Sequence, residues 1–375
     1  MNLYFDNAAA EECSPETLER FSKLTLALPG NQESTVSGTR SAVEDAEKRI
    51  LHSVCRNVAT EYSVLFLHTG TDAVNAAFAA ATETHRLKKV ILSGGEHACM
   101  KAAVKRFFTD CPIRELTCGP DGIFHEENCF QENESVLTAV HFVQSETGAV
   151  QPLAKIHHGL EHSGSGSLFL VDAVQGIGKV HFDFAAVQPD FLTISGQKIG
   201  VPSGAALIYR RHFAPFFRSY RLEQHQIGRL PPALAVLLSE VLEKRLTALN
   251  ENYDRALTLK NLFFSLLEKK LYGQYRRTLP DTAPASPFIA HILLGNGKIF
   301  YQGAIIARAL SRYGITAAPG SACDAETDHP SETLRWMRIP KEWLYSALRI
   351  SFSPLNDAAG VEKLVDSLAE IVATY

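Results

Sequence analysis

The chain has 375 residues, of which 46% are hydrophobic and 21% are charged, a composition typical of a soluble globular protein with room for two domains. Its net charge of −4 and the absence of a basic block interleaved with aromatic residues argue against a nucleic-acid-binding protein. No apolar run approaches the roughly 20 residues that a membrane span needs, so we expect no contact with a membrane.

Helices and strands are predicted to alternate along most of the chain. TRSAVEDAEKRILHSVCRNVA has helical spacing, and five apolar runs that end in turn residues predict strands. These runs are YSVLFLHTG from Tyr62, KKVILSGGEH from Lys89, SVLTAVHFVQSETG from Ser135, SLFLVDAVQG from Ser167 and PDFLTISG from Pro189. Such runs suit strands that are covered on both faces, which indicates a doubly wound α/β fold with a mainly parallel sheet.

The pattern changes after Leu230, where a long helical stretch follows Pro231 and Pro232 with little interruption. We interpret this stretch as a connector into a second, smaller α+β domain. The predicted large domain covers residues 12–252, and the predicted small domain combines residues 1–11 with residues 253–375.

Polar residues follow the predicted strands at several places. Because ligands of open α/β sheets bind beyond the carboxyl ends of the strands, these residues are candidates for one site. A turn that opens a helix at Gly70 would offer free backbone N–H groups to a phosphate. The candidates after the strands are Gly70, Thr71, Asp72, His97, Ser145, Glu146, Asp172, Gln175, Ser195, Gln197 and Lys198.

A carboxylate, a lysine and a phosphate-type turn at strand ends form a combination with a specific chemical use. Pyridoxal 5'-phosphate needs a carboxylate for its pyridinium nitrogen, a lysine for a Schiff base and an anchor for its phosphate. Asp172, Lys198 and the turn at Gly70 would supply these three groups.

Motifs along the whole chain resemble NifS-type cysteine desulfurases, which belong to the class V aminotransferase family of fold-type I pyridoxal phosphate enzymes. The motifs include YFDNAAA, PGNQES, GGEHACMKAAV, QSETGAVQPL, VDAVQGIGKVHFDF, DFLTISGQKIGVPSG, GSACDAETDHPSETLRWM and ALRISFSP. The resemblance implies a large domain with a mainly parallel seven-stranded sheet and a smaller C-terminal domain that carries the Cys323 loop.

The resemblance also implies a role for each matched residue. Lys198 would form the Schiff base, Asp172 would pair with the pyridine nitrogen, Gln175 would reach the ring hydroxyl, and His97 would stack on the ring. Thr71, Asp72, Ser195 and Gln197 would be phosphate ligands, beside Gly70. Asn31, Ser145 and Arg349 would bind the substrate, with Arg349 holding its carboxylate. Cys323 would carry the persulfide.

By this resemblance the protein is a homodimeric, cytoplasmic enzyme that converts L-cysteine to L-alanine and passes sulfur to an acceptor or scaffold protein for iron–sulfur clusters or thio-modification. The alternatives are a related lyase, selenocysteine lyase or aminotransferase, or a desulfurase-like binding partner without turnover. The seven cysteines form no C-x-x-C pair, which favours a reducing cytoplasm over a disulfide framework.

Three positions depart from the family pattern. Gln197 replaces a histidine, Ser145 replaces an asparagine that helps to hold the substrate, and Arg229 replaces a threonine that contacts phosphate from the neighbouring subunit. Arg229 is a bidentate phosphate ligand in principle and would compensate for Gln197.

Other polar features favour structural interpretations. His157, His158 and His162 lie on a predicted helix without a matching carboxylate or cysteine, so we expect no metal site. The SGSGS segment precedes a strand and is expected to be a helix-to-strand loop. Six cysteines are expected to act as small hydrophobic residues: Cys13, Cys55, Cys99, Cys111, Cys118 and Cys129.

Overall fold

The structure is a computed structural model that describes residues 1–32, 34–35, 38–124, 134–161, 164–223, 230–320 and 330–375. Its helices are α1 Pro15–Ala27, α2 Thr39–Cys55, α3 Gly70–Thr84, α4 Ala98–Phe107, α5 Leu153–Leu160, α6 Phe184–Val187, α7 Ala214–Glu223, α8 Pro232–Thr247, α9 Leu249–Lys270, α10 Gly303–Ser311, α11 Glu332–Trp336 and α12 Ala358–Thr374. Its strands are β1 Tyr62–Leu67, β2 Lys89–Ser93, β3 Ile113–Leu116, β4 Val136–His141, β5 Leu168–Asp172, β6 Phe191–Ser195, β7 Ala205–Arg210, β8 Tyr275–Arg277, β9 Ile289–Leu294 and β10 Ala347–Ser351.

Within the described residues, the larger sheet has seven strands in the order β1-β7-β6-β5-β4-β2-β3. The five strands from β6 to β3 are parallel, whereas β7 runs antiparallel to both β1 and β6. This arrangement confirms the predicted fold class, an α/β fold with a mainly parallel seven-stranded sheet. The carboxyl ends of β2, β4, β5 and β6 therefore lie at one edge of the sheet.

Both faces of the larger sheet are covered by apolar side chains. Val171 and Leu192 belong to the cluster on one face, and Leu170 and Phe191 belong to the cluster on the other. Successive residues of a strand point to opposite faces, and both faces of this sheet are covered. All four side chains are therefore fully buried. This two-sided burial explains why the strands read as nearly continuous apolar runs in the sequence.

A smaller antiparallel sheet has the order β10-β9-β8 and packs in a third apolar cluster with residues of α9 and α12. Phe5 from the amino terminus is fully buried in this cluster. Tyr4 forms an isolated bridge with Thr316, and Asp6 forms one with Ser351. The domain boundaries stay a prediction. Helix α9 spans the predicted boundary between residues 252 and 253.

The stretch after Leu230 forms two helices, because α8 ends before Ala248 and α9 begins after it. Among the described residues, no helix is long and apolar enough to span a membrane.

Candidate active site

A cavity of about 640 Å³ lies at the carboxyl ends of β2, β4, β5 and β6. Ten of the predicted site residues line it: Gly70, Thr71, His97, Ser145, Asp172, Gln175, Ser195, Gln197, Lys198 and Arg349. Asn31 and Asp72 are not among the residues that line the cavity. Arg229 and Cys323 lie outside the described residues.

Asp172 ends β5 with a buried carboxylate at the base of the cavity. Its Oδ1 accepts hydrogen bonds from Val174 N at 3.1 Å and from Thr193 Oγ1 at 3.0 Å. Burial raises the pKa of the Asp172 carboxyl, and the neighbouring Glu96 raises it further. A cationic group in the cavity would offset both effects and favour the carboxylate.

Lys198 ends a short 3₁₀ turn, Gly196–Lys198, that directly follows β6. The turn is closed by Ile199 N donating to Gly196 O at 3.0 Å and by Val201 N donating to the same oxygen at 2.9 Å. The Lys198 amine donates to Ala9 O, and Gln175 Nε2 donates to Ala8 O at 2.7 Å. The amino-terminal segment thus contacts both side chains at the cavity wall.

The amino terminus of α3 forms another part of the wall. Thr69 is the N-cap, and its Oγ1 accepts from Asp72 N at 3.1 Å, while Asp72 Oδ2 accepts from Thr69 N at 3.0 Å. This capping box occupies the Asp72 carboxylate. Gly70 and Thr71 line the cavity at the positive end of the helix, which favours an anion there. A phosphate contact from Asp72 itself stays a prediction.

His97 is the N-cap of α4 and lies exposed at the cavity wall. Its Nδ1 accepts from Cys99 N at 3.3 Å and lies 3.0 Å from Cys99 Sγ. Cys99 also lines the cavity, a position that its interpretation as a small hydrophobic residue did not foresee.

Arg349 lies on β10 with an almost fully buried side chain that reaches the cavity from the smaller sheet. Its Nη1 donates to Ser145 O at 3.0 Å, and its Nη2 donates to Asp6 Oδ1 at 2.8 Å. Its Nε is buried without a hydrogen-bond partner among the described residues. The structure therefore brings together two of the three predicted substrate-binding residues, Ser145 and Arg349.

Three acidic residues at the site received no role from the sequence, although Glu146 was a candidate after a strand. Asp6 pairs with Arg349, as described above. Glu96 accepts from His141 N at 2.9 Å and from Ser93 Oγ at 2.6 Å. Glu146 accepts from Ser331 and Thr333, which follow the segment that contains Cys323. Asp6, Glu96 and Glu146 lie inside the matched motifs YFDNAAA, GGEHACM and QSETGAV, which is the signal that would have identified them.

The histidines and cysteines that were not assigned to the site from the sequence have modest structural roles. His157 and His158 lie on α5, His162 lies outside the described residues, and no group of potential ligands in the described part of the chain could hold a metal ion. Cys55 and Cys118 are buried, as expected, in the apolar cluster that also contains Val171 and Leu192. Cys13 and Cys111 are half-buried, and Cys129 lies outside the described residues.

The chain is similar in sequence to known proteins. The family model described as Aminotransferase class-V matches residues 3–219. A cysteine desulfurase of Trichormus azollae is 26% identical over 393 residues, which cover 99% of this chain and 92% of that protein. A cysteine desulfurase of Bradyrhizobium diazoefficiens is also 26% identical, over 99% of this chain and 94% of that protein.

Solved structures show the same fold. A NifS-like protein superimposes over the full length of both chains with a TM-score of 0.85 at 19% sequence identity. Because the Aminotransferase class-V family model matches more than half of the sequence, the chain belongs to the class-V aminotransferase family.

Proposed function

We propose that this protein is a pyridoxal phosphate-dependent cysteine desulfurase that converts L-cysteine to L-alanine and retains the sulfur on Cys323. The observation that carries the proposal is that Asp172 and Lys198, from neighbouring strand ends, line the same cavity. Relatives that align over nearly the whole chain are named cysteine desulfurases.

The residues around the cavity fit the cofactor by their chemistry. Asp172 is a buried carboxylate suited to the pyridinium nitrogen, Gln175 and His97 would bind the ring, and Lys198 would bind the aldehyde carbon. The α3 amino terminus at Gly70 and Thr71, with Ser195 and Gln197, would hold the phosphate. When bound, pyridoxal phosphate supplies an electron sink for negative charge that develops at the substrate Cα.

The protein's own residues would then orient the substrate and move its protons. Arg349 would bind the cysteine carboxylate, next to Ser145. Lys198, in its neutral form, would take the Cα proton. The Cys323 thiolate would attack the substrate sulfur, so that an S–S bond forms while the C–S bond breaks. The carbon skeleton would take up a proton and leave as alanine.

Substrate identity depends most on Ser145, whose side chain is shorter than the asparagine of the family. If Ser145 orients another amino acid, the reaction becomes that of a related lyase, a selenocysteine lyase or an aminotransferase. As in the family, we propose a homodimer in which Arg229 of one subunit contacts the phosphate bound by the other. The sulfur would pass to an acceptor or scaffold protein in the cytoplasm.

The decisive experiment supplies L-cysteine to the cofactor-loaded protein and measures alanine and protein-bound persulfide. We expect equal amounts of both in the first turnover, and loss of persulfide in Cys323→Ala with the cofactor still bound. Cys111→Ala is the matched control, because burial raises the pKa of this half-buried thiol and keeps it protonated. Persulfide that persists in Cys323→Ala, or a product other than alanine, would contradict the proposal.

A further inference from the structure

Three charged side chains lie buried beside the turn that carries Lys198. The Glu11 side chain is fully enclosed, that of Lys179 is 2% exposed, and that of Arg245 from α8 is 14% exposed. Arg245 Nη2 donates to Glu11 Oε1, and Lys179 Nζ lies 3.6 Å from Glu11 Oε2. One carboxylate therefore joins three segments that are distant in the sequence.

The Arg245 side chain and the Glu11 backbone contact the main chain on the two sides of Lys198. Arg245 Nη2 donates to Ile199 O at 3.3 Å, and Glu11 N donates to Gln197 O at 2.8 Å. Gly200 packs against the same groups, since a Cβ added there would lie 3.2 Å from Glu12 O and 3.6 Å from both Arg245 Nη2 and Glu11 Oε1. The residues before and after Lys198 are thus held by Arg245 and Glu11.

The same cluster fixes the groups that the Lys198 amine meets. The amine donates to Ala9 O, two residues before Glu11. Gln175, which precedes Lys179 by four residues, donates to the carbonyl of Ala8. Because Glu11 is attached to α8 through Arg245, the segment of residues 8–11 has a fixed position against the cavity wall.

A contribution to stability alone does not explain why the protein buries three charged side chains. Burial lowers the pKa of Lys179 to about 7 and that of Arg245 to about 10, so both cations are held at an energetic cost. Replacing a buried ion pair by apolar side chains of similar volume is often neutral or stabilising. What such a pair provides in addition is one defined arrangement of the backbone, and here that backbone carries Lys198.

We propose that Glu11 and Arg245 are positioning residues for Lys198, which hold its turn and the Ala9 carbonyl so that the amine faces the cavity in a reactive orientation. This inference rests on the proposed function, in which Lys198 binds the aldehyde of pyridoxal phosphate. It adds two residues that do not line the cavity and act through the turn that carries Lys198.

The test measures how fast the cofactor-free, full-length protein binds pyridoxal phosphate through Lys198. Protein and cofactor are mixed, samples are reduced with borohydride at intervals, and the modified fraction of Lys198 is determined by peptide mass spectrometry. We expect Glu11→Gln and Arg245→Met to lower the rate about tenfold or more, because misplacement of a reacting group by about 1 Å has effects of up to about a hundredfold.

Arg210→Met is the matched control. Arg210 Nε forms a partly buried ion pair with Asp190 Oδ1 at 3.1 Å, at the opposite end of β6. Its loss is expected to lower the melting temperature without changing the rate at Lys198. If Arg210→Met slows the reaction as much as Arg245→Met, the effect comes from general destabilisation and the inference is wrong.

The triple variant Glu11→Gln/Lys179→Met/Arg245→Met separates position from stability. It leaves no charged member of the cluster buried without a partner, so we expect its melting temperature to recover relative to Arg245→Met while the rate stays low. Recovery of the rate together with the melting temperature would overturn the inference. A wild-type protein that forms no adduct at Lys198 would instead refute the proposed function, which keeps the two failures distinct.

Discussion

At the residue scale, the surroundings of Asp172 and its proposed role favour opposite protonation states of its carboxyl group. Desolvation and the charge of Glu96 raise the pKa of its carboxyl, whereas a pyridinium partner needs it ionised. Without a cationic partner the folded protein binds a proton at Asp172 more tightly than the unfolded chain does. The stability that this group contributes is therefore present below its unfolded pKa of about 3.9 and is lost as pH rises through the higher folded pKa.

We predict that Asp172→Asn makes the cofactor-free protein at least as stable as the wild type near neutral pH and lowers its affinity for pyridoxal phosphate tenfold or more. The amide keeps an oxygen that accepts from Val174 and Thr193 but carries no charge for the pyridinium. Urea unfolding over a pH series and cofactor titration measure the two effects.

Asp190→Asn is the control for this prediction, because burial also raises the pKa of the Asp190 carboxyl and the residue lies at the opposite end of β6. It is expected to change stability without weakening cofactor binding. Unaltered affinity in Asp172→Asn would speak against the assigned role of Asp172.

At the scale of secondary structure, α3 combines a structural cap with an anion site. The reciprocal hydrogen bonds of Thr69 and Asp72 define the first turn, whose Gly70 and Thr71 line the cavity. A Cβ at Gly70 would lie 3.5 Å from Val174 Cγ2 and 3.6 Å from Ser195 Cβ, so the turn packs closely against the ends of β5 and β6. The capping box thus sets the orientation of the backbone N–H groups at the cavity.

We expect Asp72→Ala to lower the free energy of unfolding by about 1 kcal/mol, the usual effect of losing a helix cap, and to weaken binding of pyridoxal phosphate. Ser14→Ala removes the N-cap hydrogen bond to Thr17 N of α1 and is the matched control. Urea unfolding should give similar losses for both variants, and cofactor titration should separate them. Equal cofactor affinity in both variants would show that the Asp72 cap does not support the phosphate site.

At the scale of the whole molecule, Trp336 of the carboxy-terminal part packs against the loop after β2, next to the cavity residue Gly95. A Cβ at Gly94 would lie 2.3 Å from Trp336 Cδ1, and Trp336 Nε1 donates to Leu116 O at 2.8 Å. The residues next to Trp336 include Thr333, which donates to Glu146 at the cavity. The loop after β2 and helix α11 therefore fit together only if residue 94 has no side chain.

We predict that Gly94→Ala displaces Trp336, lowers the free energy of unfolding by roughly 1–3 kcal/mol and reduces activity. Gly314→Ala is a suitable comparison, because its φ of +72° strains an alanine but nothing lies within 4 Å of the added Cβ. Urea unfolding and the persulfide assay measure both effects. Full activity in Gly94→Ala would mean that the site does not depend on this contact.

Most strands of the large sheet could be predicted from the sequence, because burial on both faces leaves nearly continuous apolar runs. β3 was missed, since this edge strand is only four residues long and Ile113 and Glu115 are exposed. β9 was also missed. The cavity residues at strand ends could also be predicted, because a turn after an apolar run marks the end of a buried strand in the local sequence.

The sequence by itself determined the alternation of helices and strands, the strand-end positions of Asp172 and Lys198, and the family. Only the tertiary structure decided that Arg349 pairs with Asp6, 343 residues away, and that Arg245 pairs with Glu11, 234 residues away. Local propensity and apolar periodicity extend over a few turns or strands. Such pairs form because packing of the apolar faces brings distant segments together and removes their buried charges from water.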